Sequence, residues 1–355
     1  MLDNFHTYNE YFASANGYSG FKSYFKEVFS STDFERVYVL KGGPGTGKSS
    51  VIKRICAFCH EKKIYYEIYR CSSDISSLDG VIISDNNKKV AIVDGTSPHQ
   101  RDAEIPGAID ELVNLGEAWD KSMIKSKREN IIRLNNEKHD HYAKAYKYLE
   151  FSSVFNTNIK AEIKSLFDFR RARTELKNIS DKISYSRHKK SEVKLVSSFS
   201  KDGFKTLEGP FLNAKINYSI FGRYGSDKIF VGMLINSLTQ ENISFCRIPS
   251  PLDSSINEGI LSTDGSGIIF GMGNGEVICD TTSYLKIKNI KDFEDKMCQL
   301  ENSKQYYLHL ASDEFKVASK YHFMLEDIYT SAMDFSIVED YCDKIISEIK
   351  NIYLD

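Results

Sequence analysis

A chain of 355 residues that is 41% hydrophobic contains no apolar run approaching the length needed to span a bilayer. Its first residues, Met1-Leu2-Asp3-Asn4-Phe5-His6, lack a basic segment leading into an apolar core, so no secretory signal is expected. The seven cysteines are scattered, which suits a reducing compartment and argues against a disulfide framework. A cytoplasmic location without membrane contact is the expectation. Net charge is nearly absent too, with 47 Lys and Arg against 49 Asp and Glu. The length accommodates two domains, and the composition is that of a soluble globular protein.

Cys56-Ala57-Phe58-Cys59-His60 matches the Cys-x-x-Cys-His spacing of covalent haem attachment. That chemistry normally follows export, for which no signal is present. Ile52, Ile55, Cys56 and Cys59 share one helical face, so core packing is the expected role.

What the chain does contain is Gly42-Gly43-Pro44-Gly45-Thr46-Gly47-Lys48-Ser49-Ser50, which fits the Gly-x-x-x-x-Gly-Lys-Ser phosphate-binding loop. Glycine allows backbone angles closed to other residues, so successive N–H groups can turn inward around a phosphate. Lys48 is placed to reach the β- and γ-phosphates, and the Ser49 hydroxyl to hold Mg²⁺. Phe34 to Leu40 reads as a buried strand and Val51 to Phe58 as a helix. Strand, glycine loop and helix in that order point a helix N-terminus at a phosphate.

Lys89-Val90-Ala91-Ile92-Val93-Asp94 reads as a buried parallel strand ending in an acid. Asp94 is therefore expected to act with Ser49 as the second Mg²⁺ position, through water. Gly95 follows it, where many ATP-hydrolysing motors carry a water-activating Glu. No guanine-specific Asn-Lys-x-Asp follows the strand, which favours ATP over GTP.

From Lys121 to Lys194 there are 19 Lys and Arg against 9 Asp and Glu, a local charge near +10. This stretch reads as a solvated helical arm, with an acidic macromolecule or the nucleotide itself as the sharper alternative. No nucleic-acid motif accompanies it.

The chain also repeats itself. Gly222, Gly225 and Lys228 follow Gly42, Gly45 and Lys48 at one common offset. Ile243 to Ile248 answers Ile64 to Tyr69 as a strand, and Gly203-Phe204-Lys205 answers Gly20-Phe21-Lys22. Leu300 to Lys304 answers Leu134 to Lys138. Asp227 replaces Gly47, Ile229 replaces Ser49, and Gly267 to Met272 ends without an acid. A second copy that carries no nucleotide is expected, with Phe221 to Ile229 as its loop and Lys228 in a structural role. Ala108 to Leu149, Asn158 to Ser184 and Asp292 to Ile352 read as helical segments, paired as a lid or arm. The join between the copies is expected near Lys189 to Val196.

The stretches Val39 to Ser50, Cys71 to Val81, Asp94 to His99 and Pro106 to Asp120, with Ala332-Met333-Asp334-Phe335-Ser336 late in the chain, resemble an uncharacterised family of bacterial tandem P-loop ATPases. The resemblance covers most of the chain. It implies a predicted ATPase whose second copy usually keeps its own P-loop, a pattern from which this sequence departs. It adds Asp74, Asp79, Thr96 and His99 as polar candidates near the phosphates, each also suited to capping or turning the chain.

The expected architecture is α/β: tandem P-loop NTPase-like three-layer α/β/α units with parallel sheets, each followed by a helical segment. Residues 1–192 form the active repeat, with a helical arm over 117–192, and residues 193–355 the degenerate one. The expected activity is Mg²⁺-dependent binding and hydrolysis of ATP, with Lys48, Asp94, Asp74 and His99 as catalytic candidates. A nucleotide or small-molecule kinase is the nearest rival, with Arg170, Arg171 and Arg173 as suppliers of mobile charge. A regulatory switch that binds nucleotide and hardly turns it over is the other.

Overall fold

A computed structural model describes residues 8–85, 88–98, 100–180 and 192–354. The first half runs β1 (Tyr8–Phe12), a hairpin of β2 (Ser14–Gly17) and β3 (Gly20–Ser23), a short α1 (Phe25–Val28), and β4 (Arg36–Lys41). It continues with α2 (Lys48–Glu61), β5 (Tyr66–Arg70), β6 (Leu78–Ser84), β7 (Lys89–Asp94) and β8 (Asp110–Asn114). Helices α3 (Lys121–Ser126), α4 (Arg128–Leu166) and α5 (Phe169–Ser180) follow. The second half runs β9 (Ser197–Ser200), β10 (Gly203–Thr206), α6 (Gly209–Asn213), β11 (Ile216–Phe221) and α7 (Ser226–Gln240). After these come β12 (Cys246–Pro249), β13 (Asn257–Leu261), β14 (Gly267–Gly271), β15 (Glu276–Asp280), α8 (Ile290–Thr330) and α9 (Phe335–Tyr353).

The first sheet has the order β1-β5-β6-β7-β4-β8, the second β12-β13-β14-β11-β15. Strand for strand, β5-β6-β7-β4-β8 and β12-β13-β14-β11-β15 share order and direction. Both sheets are mixed, not parallel. β6 is antiparallel to β5 and β7, and β13 to β12 and β14. The links into and out of β6 are turns, and a parallel return needs a crossover of a dozen or more residues. Only the β4-to-β5 and β11-to-β12 links carry full helices, α2 and α7.

The layering differs from two α/β/α units for the same reason. With one crossover helix per sheet, each sheet has one helix-covered face. Tyr38, Leu40 and Ile92 pack there under Val51, Ile52 and Ile55 of α2. Burying each such side chain contributes roughly 1.5–3 kcal/mol. On the opposite face, Val37, Val39, Ala91 and Val93 share one core with Ile248, Leu261, Ile268 and Phe270 of the second sheet, to which Phe25 of α1 adds. Cys56 and Cys59 lie in the core, where burial pushes both thiols up to about 12.

The expected helix from Ala108 is overturned over its first part: Asp110–Asn114 is β8, paired parallel with β4. The expected break between Leu149 and Asn158 is also absent. α4 runs unbroken to Leu166 and the chain turns at Phe167 and Asp168.

The helical segments trade places. α4 and α8 pair along their length, with Ala145 and Leu149 against Leu308, Ala311 and Phe315, and Lys296 bonded to Glu162 at 2.6 Å. α5 then packs Ala172, Leu176 and Ile179 against Phe230, Val231 and Leu234 of α7. α9 packs Val338, Cys342, Ile345 and Ile349 against α2. Each half's final helix thus covers the other half's crossover helix. Asp120 N–H donates to the Ala332 carbonyl at 2.8 Å and Lys286 N–H to the Leu166 carbonyl at 2.9 Å, the two points of exchange.

Candidate functional site

The glycine loop lies between the C-terminal end of β4 and the first turn of α2. Gly45 at φ +70° and Gly47 at φ +84° take the left-handed conformation that the turn requires. Gly47 caps α2, so Lys48, Ser49 and Ser50 are its first residues. The buried Thr46 hydroxyl donates to the Gly43 carbonyl at 3.0 Å and ties the loop together. Gly42, Gly43, Pro44, Gly45, Gly47, Lys48 and Ser49 are half-buried, and Ser50 is exposed.

β4 and β7 are parallel neighbours in register Leu40 to Asp94, which brings Asp94 beside the loop. Lys48 Nζ donates to the carbonyls of Gly42 at 3.1 Å and Gly43 at 2.8 Å. It stands 3.7 Å from Asp94 Oδ2. Thr96 fixes the other oxygen: its N–H and hydroxyl both donate to Asp94 Oδ1, at 2.8 and 2.6 Å. Ser49 Oγ accepts the Leu78 N–H at 3.0 Å, joining α2 to β6 and leaving Oγ one further lone pair. Among the described residues no group of three or more His, Cys, Asp or Glu side chains could hold a metal alone. Ser49 and Asp94 fit a Mg²⁺ that takes most of its ligands from phosphate and water.

The remaining candidates sit elsewhere. Asp74 Oδ1 accepts the Ser76 N–H at 3.3 Å and hydroxyl at 3.0 Å, capping a turn, and lies 3.7 Å from Lys201 of the second half. Asp79 is buried in β6, directly after Leu78, whose N–H reaches Ser49. His99 falls outside the described residues. Arg171 donates to the Ser283 carbonyl at 2.9 Å and stacks over Tyr284. That places α5, with Arg170 and Arg173, on the second half. Lys194 leaves the basic stretch for the core, where it pairs with Glu67 at 2.5 Å and the Tyr69 hydroxyl at 2.9 Å.

Long-range packing adds residues that spacing alone did not mark. A Cβ on Gly43 would lie 3.2 Å from the Trp119 ring, which meets Tyr329 of α8 in a tilted pair with centroids 5.5 Å apart. A Cβ on Gly45 would lie 2.5 Å from Thr330 Oγ1 and 2.7 Å from the Glu326 carbonyl. Phe335 and Val338 of α9 face Gly47. The sequence signals were the run Ala332 to Ser336, which forms the α8–α9 turn over the loop, and the stretch Pro106 to Asp120, which contains Trp119.

The second loop is remodelled. α7 starts at Ser226, so only Gly222 to Gly225 separate strand and helix, against Gly42 to Gly47 in the first half. The expected loop through Ile229 is shorter because Asp227 and Lys228 are already helical. Gly222 is crowded by Thr281, Ser226 and the Asp227 backbone nitrogen. Asp227 Oδ2 lies against Gly271, whose pairing with Ile220 matches that of Asp94 with Leu40. Lys228 pairs with Glu258 at 3.2 Å.

No family model, no curated protein and no solved structure matches the chain. Among the described residues no helix is long and apolar enough to cross a membrane.

Proposed function

We propose that the first half binds a Mg²⁺–nucleoside triphosphate, ATP in preference to GTP, and hydrolyses it slowly, a reading in line with the resemblance of its motifs to predicted tandem P-loop ATPases. The observation that carries this reading is Lys48 at 3.7 Å from Asp94, on a glycine loop at a helix N-terminus. The loop N–H groups and Lys48 hold the phosphates and offset their charge. Ser49 and Asp94 would hold Mg²⁺, which neutralises charge on the transferring phosphoryl group. Thr96 orients Asp94.

One observation favours the switch as second reading. A Cβ on Gly95 would lie 2.7 Å from the Arg101 carbonyl, so the usual place of a water-activating Glu is physically closed. Low turnover with tight binding follows from that.

Calorimetry with Mg-ATP tests the assignment. Lys48→Ala should weaken binding by roughly a hundredfold and leave the melting temperature unchanged, since Lys48 is outside the core. Ser49→Ala should chiefly weaken the Mg²⁺ dependence. Unaltered affinity in Lys48→Ala would refute the site. Phosphate transfer to an added metabolite instead of water would mark a kinase.

For an acidic macromolecule, the basic stretch presents Lys121, Lys125, Lys127 and Arg128, all exposed. Retention on heparin should fall with salt and with reversal of these four charges. Unchanged retention would reduce the stretch to a solvated face.

A further inference from the structure

A cavity of about 1380 Å³ lies not at the glycine loop of the first half but over the reshaped loop of the second. It opens at the C-terminal ends of β11 and β14, where ligands of α/β sheets gather. α4 and α8 form one wall and the β9–β10 hairpin another.

Its floor holds an unsatisfied acid. Asp227 is 2% exposed, and its Oδ2 has no hydrogen-bond partner. A buried acceptor left unpaired is costly, and a ligand donor that reaches it recovers that cost. Burial pushes this carboxyl up to about 6. Beside it, Lys228 and Ser197 both bond to Glu258, so that neighbour is already satisfied.

The backbone is strained at the same place. Four described non-glycine residues have positive φ: Lys63, Tyr224, Asn242 and Met272. Lys63 and Asn242 end helices. Tyr224 at φ +58° and Met272 at φ +56° both line the cavity. Such strain persists only where the surroundings impose it, and it gathers at ligand sites.

We propose that this cavity binds a sugar phosphate, with a sugar hydroxyl donating to Asp227, the ring against Phe204 and Tyr224, and the phosphoryl group on Lys164 and Lys205. Phe204 is an exposed aromatic ring on the cavity wall. Lys164 and Lys205 also line it. Among the described residues neither has an acidic partner, whereas their neighbours Lys160 and Lys201 pair with Asp253 and Asp74. The loop differs from a triphosphate cradle, because it is shorter than Gly42 to Gly47, and Asp227 and Ile229 stand at the places of Gly47 and Ser49.

The test is calorimetry on full-length protein carrying Lys48→Ala, with ribose 5-phosphate, glucose 6-phosphate and inorganic phosphate as probes. This background removes the proposed triphosphate site, so either proposal can fail without the other. At least one sugar phosphate should bind at one per chain, about tenfold or more tighter than inorganic phosphate. Asp227→Asn should weaken it about tenfold or more. Lys164→Glu with Lys205→Glu should do the same, and both lysines are exposed, so this variant keeps the test alive if Asp227→Asn misfolds. No binding of either sugar phosphate at millimolar concentration overturns the proposal. So does inorganic phosphate binding as tightly, or unchanged affinity in the lysine variant.

Discussion

The Thr330 hydroxyl donates a 3.3 Å hydrogen bond to the Gly45 carbonyl, joining the end of α8 to the middle of the first half's glycine loop. The two residues are 285 positions apart. Because α4 and α8 cross between the halves, the loop is roofed by a helix that belongs, in sequence, to the other repeat.

Gly45→Ala tests that roof. At φ +70°, with Thr330 Oγ1 at 2.5 Å and the Glu326 carbonyl at 2.7 Å from an added Cβ, there is neither backbone freedom nor space for a methyl group. We expect a loss of about 1–3 kcal/mol, read as a lower urea midpoint. Thr330→Ala should cost far less.

Trp119 is the sole tryptophan of the chain and stands between Gly43 and Tyr329. Its fluorescence should change on addition of Mg-ATP, and Lys48→Ala should abolish the change. A spectrum indifferent to Mg-ATP in protein that binds it by calorimetry would show that the roof does not respond to the loop.

Asp94→Asn should reduce turnover more than binding, since charge placement matters most in the transition state. Thr96→Val removes one of the two bonds that orient Asp94 and should lower phosphate release by roughly tenfold, with little change in affinity. Equal losses in affinity and turnover would make Thr96 a binding residue instead.

Mg-ATP should bind at one per chain, because the second loop is shorter and carries Asp227 and Ile229 at the places of Gly47 and Ser49. Lys228→Ala should leave that affinity unchanged. A measured stoichiometry of two would show that the second loop opens.

Asp110 gives the fold a pH dependence. Its carboxylate is buried with Arg101 at 3.0 Å and takes bonds from Ser31 and the N–H of Ile105. Burial works against the charge, but the Ile105 N–H, the Ser31 hydroxyl and Arg101 outweigh it and hold the pKa below the ordinary value. A depressed folded-state pKa contributes stability that is fully present above the unfolded value, near 4, and lost as pH falls through the folded one. Asp110→Asn should cost about 3–5 kcal/mol at neutral pH and flatten the acid side of the melting curve.

The glycine loop, its strand and its helix were legible because they are local: a strand of four buried residues, a run of glycines and a 3.6-residue period need no distant partner. β7 was legible for the same reason. β8 was not. Asp110–Asn114 alternates burial weakly and becomes a strand only through pairing with β4. Parallel sheets were a misreading of buried strands, since burial on both faces says nothing of direction, whereas the short links around β6 decide it.

The order of elements, the repetition and the wear of the second loop were set by residue type and spacing along the chain. Lys48 meets Asp94 because β4 and β7 pair parallel in register Leu40 to Asp94, a pairing that the apolar runs allowed and did not by themselves specify. The exchange of α5 and α9, the roof of Glu326, Tyr329 and Thr330, and the cavity over Asp227 were decided only in three dimensions. Each depends on two long helices lying side by side. An amphipathic face says that a helix must be covered, but not by which partner.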